Sequence, residues 1–255
     1  MNIIYPADYF NLNKIDEMFV AEADAFREAG FTVVPWNNKE VPSGQYLYRG
    51  WMLLDTEYDE LVSFLAKHNA SLITSKAQYL NAHHLPNWYE SLKELTPETV
   101  VTSVNELDST LDKINWSNFF VKDFVKSLTT SEGSIAESKD AVRHIIKELD
   151  QRKGIVGGIC LRKVHEFDTE SEIRYFCFNG KILTPNDIVP DIVNEVKGEI
   201  KLPFYSIDII KDKSGKDWVV EIGDGQVSDL KSPWQADDFV TAIKNINKQK
   251  IKYKP

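Results

Sequence analysis

Cysteine, net positive charge and unbroken apolar stretches are all lacking in this sequence, and each shortage removes a class of protein. Only two cysteines occur, Cys160 and Cys177, each inside an apolar run, without CxxC spacing and without a nearby histidine. That excludes a disulfide scaffold and a thiolate metal centre and leaves two reduced, buried thiols as the expectation. No stretch approaches the ~20 apolar residues that cross a bilayer, and MNIIYPADYF lacks the basic start and apolar core of a secretion signal. A cytosolic protein with no membrane partner is expected. Lys and Arg number 30 against 39 Asp and Glu, a net charge of -9 that repels a polyphosphate backbone and argues against nucleic acid as a partner. The basic tail 248–254 (KQKIKYK) reads as a solvated end. Neither GxGxxG nor GxxxxGK[ST] appears, so the common phosphate-cradling glycine loops are missing. With 42% hydrophobic residues, 12 Gly and 10 Pro, the 255 residues suit one globular body of two or three lobes.

Hydrophobic periodicity orders the first part of the chain. NIIYP reads as a strand, and Ile15, Phe19, Ala23 and Phe26 then recur at helical spacing until Gly30 stops the run. FTVVPW and QYLYRGWML follow as strands. Thr56 with Asp59 can cap a helix through Tyr58, Leu61, Val62 and Leu65, and SLIT closes the unit. Such alternation implies a parallel sheet covered by helices, half of a Rossmann-like lobe. Residues 76–97 form a polar and aromatic stretch containing His83, His84, Trp88 and Tyr89, and the break at Pro97 sets the expected division, 1–97 and 98–255. Neighbouring histidines point to different sides of a helix or strand, so His83 and His84 read as surface residues rather than joint metal ligands.

Strands dominate the rest: NFFVKDFVK (118–126), GIVGGICLRK (154–163), EIRYFCF (172–178), KILTP, FYSIDII (204–210) and DWVVEI (217–222). Asn179-Gly180 between two of them signals a type I′ hairpin, whose central residues both need positive φ. SKDAVRHIIKELDQRK and DDFVTAIKNI carry helical apolar faces, giving an α+β lobe.

Charges inside apolar strands are the informative residues, because burying a lone charge costs more than a strand gains from it. Lys122 and Lys126 share a face of one strand, roughly 13 Å apart at ~3.3 Å per residue, and could address different parts of one extended anion such as a nucleoside triphosphate. The alternative is an edge strand with snorkelling lysines. Glu172 and Arg174 share a face of another, either as an ion pair or as a sugar-hydroxyl acceptor beside a phosphate- or carboxylate-holding fork. Asp208 lies between apolar neighbours, Glu221 ends a strand, and Asp224 follows in a Gly-flanked turn. Such carboxylates could share a hard cation, with a plain turn as the alternative for Gly223-Asp224-Gly225. SLTTSEGSIAES is either a lid over phosphates or a simple loop.

In order, the strand lysine Lys122, a small-residue loop, LRKVHEF, Glu172-x-Arg174, Asp208 and the terminal EIGDGQ resemble the ATP-grasp superfamily over most of the chain. LYRGWML, SLITSKAQYLNAHHLPNWYESLKELTPET, FVKDFVKS and VVEIGDGQVSDL are more closely similar to its small clade with one arginine and two lysines, found in bacteria and phages. The resemblance implies an α/β plus α+β fold, a Rossmann-like preceding lobe followed by a two-lobed ATP-grasp catalytic unit. It implies that Lys122 touches nucleotide phosphate and that Lys126 is the second lysine. Backbone groups of Arg162, Lys163 and Val164 would meet the adenine edge, Glu172 the ribose, and Arg174 the phosphates or acyl intermediate, Arg174 and Lys126 being the catalytic pair. Asp208 and Glu221 match magnesium ligands. The usual Glu-x-Asn ending is Glu221-Ile222-Gly223 here, so a third ligand must come from Asp224, Gln226 or water. Gln226, Arg49 and Trp51 stand as substrate-side candidates, a core Trp with a solvated Arg being the alternative for the last two.

The implied activity is ATP- and Mg²⁺-dependent carboxylate–amine ligation through an acylphosphate, with a small-molecule, amino-acid or peptide acceptor, in a monomer or homodimer. Positioning and charge neutralisation suffice for such chemistry, which fits the lysines, arginine and carboxylates found. A kinase and a nucleotide-binding regulatory module without turnover are the alternatives.

Overall fold

Ile3, Ile4 and Tyr5 are all fully buried, as in a strand covered on both faces. In the computed structural model, which describes residues 1–37, 39–125, 133–152 and 154–252, they form β1 (Asn2–Pro6). There follow α1 (Val20–Glu28), β2 (Val33–Trp36), β3 (Gly44–Tyr48), α2 (Asp55–Lys67), β4 (Ala70–Leu72), α3 (Lys76–His83) and α4 (Leu85–Leu92). The sheet order is β2-β1-β3-β4, every pairing parallel, with Ile3 opposite Val33 and Leu47. The expected βαβ alternation is present. Helix α1 begins later than its apolar spacing suggests, because a 3-10 turn over Glu17–Phe19 precedes it. At α2 the Glu57 carboxylate accepts the Leu54 N–H at 2.7 Å, in place of the expected Thr56 and Asp59 cap. The polar, aromatic stretch is helical: α3 and α4 bury Tyr79, Ala82, Leu85, Trp88 and Leu92.

Next come β5 (Thr99–Thr102), α5 (Leu107–Lys113), β6 (Phe119–Asp123), β7 (Ile135–Ala136), α6 (Lys139–Arg152) and β8 (Ile159–Lys163). Their antiparallel sheet runs β5-β8-β6-β7 and sets Lys122 opposite Cys160. Phe119 and Val121 on one face of β6 enter a core with Leu111, Val142, Ile145 and Leu161, which leaves Lys122 on the other face. Strand β6 stops at Asp123, whose carboxylate accepts the N–H groups of Val125 (2.7 Å) and Val156 (3.3 Å).

The chain closes with β9 (Phe167–Phe178), β10 (Lys181–Leu183), α7 (Asp191–Glu199), β11 (Phe204–Asp212), β12 (Asp217–Asp224) and α8 (Ala236–Lys252), the sheet order being β10-β9-β11-β12. Asn179 (φ 50°) and Gly180 (φ 74°) make the β9–β10 hairpin with the positive angles their sequence predicts.

Two compact units result: Met1–Ala82, Ile173–Asp208 and Gly223–Pro255 form one, and His83–Glu172 with Ile209–Ile222 form the other. The first builds its core from both ends of the chain, Ile3, Phe26 and Leu47 joining Phe176, Phe204, Trp234 and Phe239. Compactness thus follows long-range packing, whereas the sequence division at 97/98 follows a local break. No helix among the described residues is long and apolar enough to cross a membrane.

Candidate active site

In the second unit the informative group is Lys122. It is 4% exposed, and its Nζ lies 3.3 Å from Glu221 Oε1 on β12. The Glu221 side chain is 38% exposed, so this carboxylate meets solvent while its lysine partner is buried. Burial pushes the neighbouring Cys160 thiol up to about 12 despite Lys122 and Arg162, so it is inert as a nucleophile. Arg162 is buried, with Nη1 donating to the Val220 carbonyl (2.7 Å) and Nη2 to Thr96 Oγ1 (2.6 Å). Desolvation lowers its pKa to about 10, with Glu221 opposing. The side chain therefore ties β8 to β12. Lys163 is exposed, its N–H donates to the Glu98 carbonyl, and its ammonium lies 3.6 Å from the Glu98 carboxylate. Val164 follows directly on β8. Glu172 closes this unit's share of β9. Lys126 and the first half of the expected lid, 127–132, lie outside the described residues.

In the first unit Arg174 and Asp208 form a buried fork. Nε donates to Oδ1 at 2.7 Å and Nη2 to Oδ2 at 2.6 Å. Nη1 donates to the Asp229 carbonyl at 3.2 Å and to its carboxylate. Lys231 Nζ adds a bond to Asp208 Oδ2 at 3.2 Å, and Trp234 Nε1 donates to the Arg174 carbonyl at 2.7 Å. Asp229, Lys231 and Trp234 escaped the sequence reading; the signal was the run SDLKSPW, charged and aromatic, directly after GDGQ.

Gly223 explains why the usual asparagine is missing. A Cβ there would lie 2.7 Å from Ser206 Oγ and 2.9 Å from Ser228 Oγ, two hydroxyls that hydrogen-bond each other at 2.7 Å. A side chain at 223 would have to push these hydroxyls aside, and glycine itself offers no side-chain ligand. Asp224 does not replace it. It is fully buried, its Oδ1 accepts the Gln226 backbone N–H (2.9 Å) and side-chain amide (3.1 Å), and its Oδ2 is sealed without a partner. Burial pushes this carboxyl up to about 7. Gln226 is equally buried, its amide also donating to the Tyr58 hydroxyl at 3.1 Å, so it is tied into the interior of this unit.

Arg49 is a brace rather than a solvated residue. Nε and Nη2 donate to the two oxygens of Glu22 at 2.7 Å each, and Nη1 to the carbonyls of Gly225 and Ser228, the latter at 2.8 Å. Its guanidinium carbon lies 5.0 Å from the Phe239 ring centroid. Position 49 thereby fixes the loop that follows β12. Trp51 is half exposed, with Nε1 donating to Asp16 Oδ2 at 3.1 Å and its ring edge against Phe19.

Magnesium takes few protein carboxylates and draws its remaining oxygens from phosphate and water. Among the described residues no three His, Cys, Asp or Glu side chains converge on one metal position. Glu221 has a part-exposed carboxylate with the chemistry of a ligand for such an ion, whereas Asp208 is buried with both oxygens accepting from Arg174 and Asp224 is buried against Gln226.

A model of the ATP-grasp domain, family 3 of the clade with one arginine and two lysines, matches residues 94–243. No curated protein matches the chain. Among solved structures, D-cycloserine synthetase DcsG superposes with a TM-score of 0.63 at 17% identity, over 96% of this chain and 99% of the other. A RimK domain ATP-grasp protein from Sphaerobacter thermophilus DSM 20745 gives 0.61 at 13%, over 96% and 98%. The macrocyclase MdnC from Microcystis aeruginosa MRC, bound with precursor peptide MdnA, gives 0.59 at 13%, over 96% and 100%. At such identities the likeness is one of fold.

Proposed function

The chain belongs to the ATP-grasp domains, in family 3 of the clade with one arginine and two lysines, and from that membership we propose that it is an ATP-dependent carboxylate–amine ligase. The observation that carries the reading is Lys122, a cation held at 4% exposure with a part-exposed carboxylate, Glu221, as its partner. A buried ammonium is costly unless an anion meets it, and a polyphosphate would supply one.

In this reading a substrate carboxylate oxygen attacks the γ-phosphorus of ATP, and ADP departs with the bridging oxygen. The substrate amine then attacks the acyl carbon, inorganic phosphate leaves, and the amine proton passes to solvent. Lys122 and Lys126 draw charge from the phosphates, and Arg174 stabilises the anionic centre on the acceptor side. Arg162, Lys163 and Val164 present the hinge backbone to adenine, and Glu172 accepts from ribose hydroxyls. Glu221 is the residue that would hold magnesium, Asp208 joining it only on release from Arg174, and the ion would supply charge neutralisation on the phosphates. We keep 98–255 as the catalytic unit and 1–97 as the preceding lobe. Of the acceptor-side candidates Trp51 has surface to offer, whereas Arg49 and Gln226 serve the loop that follows β12.

Phosphate release from ATP, measured over pools of carboxylates and amines with product masses read in parallel, tests the proposal. A condensed product with equimolar ADP and phosphate supports ligation. A phosphorylated product without free phosphate replaces it with a kinase, and tight ATP binding without turnover replaces it with a regulatory module.

A further inference from the structure

Buried oxygens without partners gather in one place in the first unit. Asp224 Oδ2, Gln226 Oε1 and Thr74 Oγ1 are sealed from solvent and make no hydrogen bond among the described residues. Their residues are joined bond by bond around one phenol. The Gln226 amide donates to Asp224 Oδ1 and to the Tyr58 hydroxyl, each at 3.1 Å, and Tyr58 donates its own proton to the Thr74 carbonyl at 2.8 Å. Both amide hydrogens and the phenol hydrogen are therefore spent. Turning the Gln226 amide over would set its oxygen against the Asp224 carboxylate, so Oε1 stays an acceptor. Lone buried oxygens of this kind are accounted for by a bound water or ion.

Charge decides between the two. Asp224 is in no ion pair among the described residues. Arg49, the cation that acts on it, has its nitrogens on Glu22 and on the carbonyls of Gly225 and Ser228. A water would occupy the lone pairs and leave a buried carboxylate uncompensated, whereas a monovalent cation does both. Magnesium is unsuited, because it keeps several waters and this position is sealed. An alkali cation can exchange its hydration shell for protein oxygens.

We propose that Asp224, Gln226 and Thr74 hold one dehydrated monovalent metal cation, K⁺ or Na⁺, through Oδ2, Oε1 and Oγ1. The ion joins the end of β12 to the segment that follows β4. This inference stands apart from the ligase reading and its test needs no ATP.

Thermal midpoints of the wild type, Asp224→Asn and Thr74→Val are compared in potassium, sodium and tetramethylammonium chloride of equal ionic strength, at pH 6 and pH 8. At ten times its Kd the cation should raise the midpoint of a chain this size by roughly 3–6 °C over tetramethylammonium. Proton and cation compete for the same carboxylate, so the rise should be larger at pH 8. Of the other groups facing Asp224, Arg49 keeps its charge, and burial keeps the Tyr58 and Tyr79 phenols protonated at both pH values. The expected rise is lost in Asp224→Asn and reduced in Thr74→Val, which judges the site alone if the asparagine variant does not fold. A rise in one alkali salt identifies the ion, and a rise in both shows a site that takes either. Equal wild-type midpoints in the three salts leave a water as the occupant and overturn the proposal. So does a rise that Asp224→Asn or Thr74→Val retains in full, or one that is the same at both pH values.

Discussion

Replacing Asp224 by asparagine removes a buried carboxyl whose second oxygen has no partner. Burial raises its pKa from 3.8 to about 7, with the two Gln226 hydrogen bonds and Arg49 pulling the other way. Between these values the folded protein keeps a proton that the unfolded chain has lost, so stability is greatest below about pH 4, falls as pH rises, and levels off above about pH 7. A shift of about three units corresponds to an upper bound of ~4 kcal/mol lost across that window. An asparagine side chain at this position would retain the acceptor for Gln226 and add an N–H₂ donor in place of the sealed oxygen, in a pocket where Gln226 Oε1 also lacks a partner. Asp224→Asn should therefore be more stable than wild type at pH 8, by about 2–4 kcal/mol, with the gap closing toward pH 5. Urea unfolding followed by far-ultraviolet circular dichroism at pH 5, 6, 7 and 8 reads the difference directly. A gap that is constant across these pH values, or a variant less stable at pH 8, refutes the argument.

Breaking the Glu22–Arg49 pair strands a buried charge, so Arg49→Met should cost about 3–5 kcal/mol in urea unfolding, and Glu22→Gln, which leaves the guanidinium with a neutral acceptor, less. A loss below about 1 kcal/mol for Arg49→Met would show that the loop after β12 does not depend on its brace. Gly223→Asn, which restores the family's usual residue, should destabilise by roughly 1–3 kcal/mol through overpacking against Ser206 and Ser228 and should not tighten Mg-ATP binding. A stable Gly223→Asn variant with higher affinity would contradict the steric account. In Mg-ATP titrations Lys122→Ala and Glu221→Gln should each weaken binding at least tenfold while the circular dichroism spectrum is unchanged; normal affinity in both would remove them from the nucleotide site.

Much of the fold was legible because it is written in local patterns. NIIYP, FTVVPW and the helix runs have clean periods, and Asn179-Gly180 dictates its turn. Helices α3 and α4 were missed because LNAHHLPNWYESL mixes polar and aromatic residues, and the faces that bury Tyr79 and Trp88 emerge only when those rings find cavities to fill. The charged strand residues stand out in the sequence, yet their partners are not visible there. Arg49 meets Glu22 from α1 and carbonyls at 225 and 228, and Asp208 meets Arg174 34 positions away. Such pairings are set by tertiary packing rather than by spacing. The same holds for Asp224: a Gly-flanked aspartate suggests an exposed turn, but Gly223 and Gly225 are there to let the chain pass Ser206, Ser228 and Phe204 closely, and this sinks the carboxyl between them.

The central claim, a nucleotide site built around Lys122 and Glu221, is tested most directly by the thermal midpoint of the wild type with ATP, with Mg²⁺, and with both at millimolar concentration. A ligand at ~100 times its Kd adds about 2.7 kcal/mol, which raises the midpoint of a chain of this size by several degrees. The account predicts a rise that needs ATP and Mg²⁺ together and disappears in Lys122→Ala. An unchanged midpoint with both present, or an equal rise in Lys122→Ala, would contradict it.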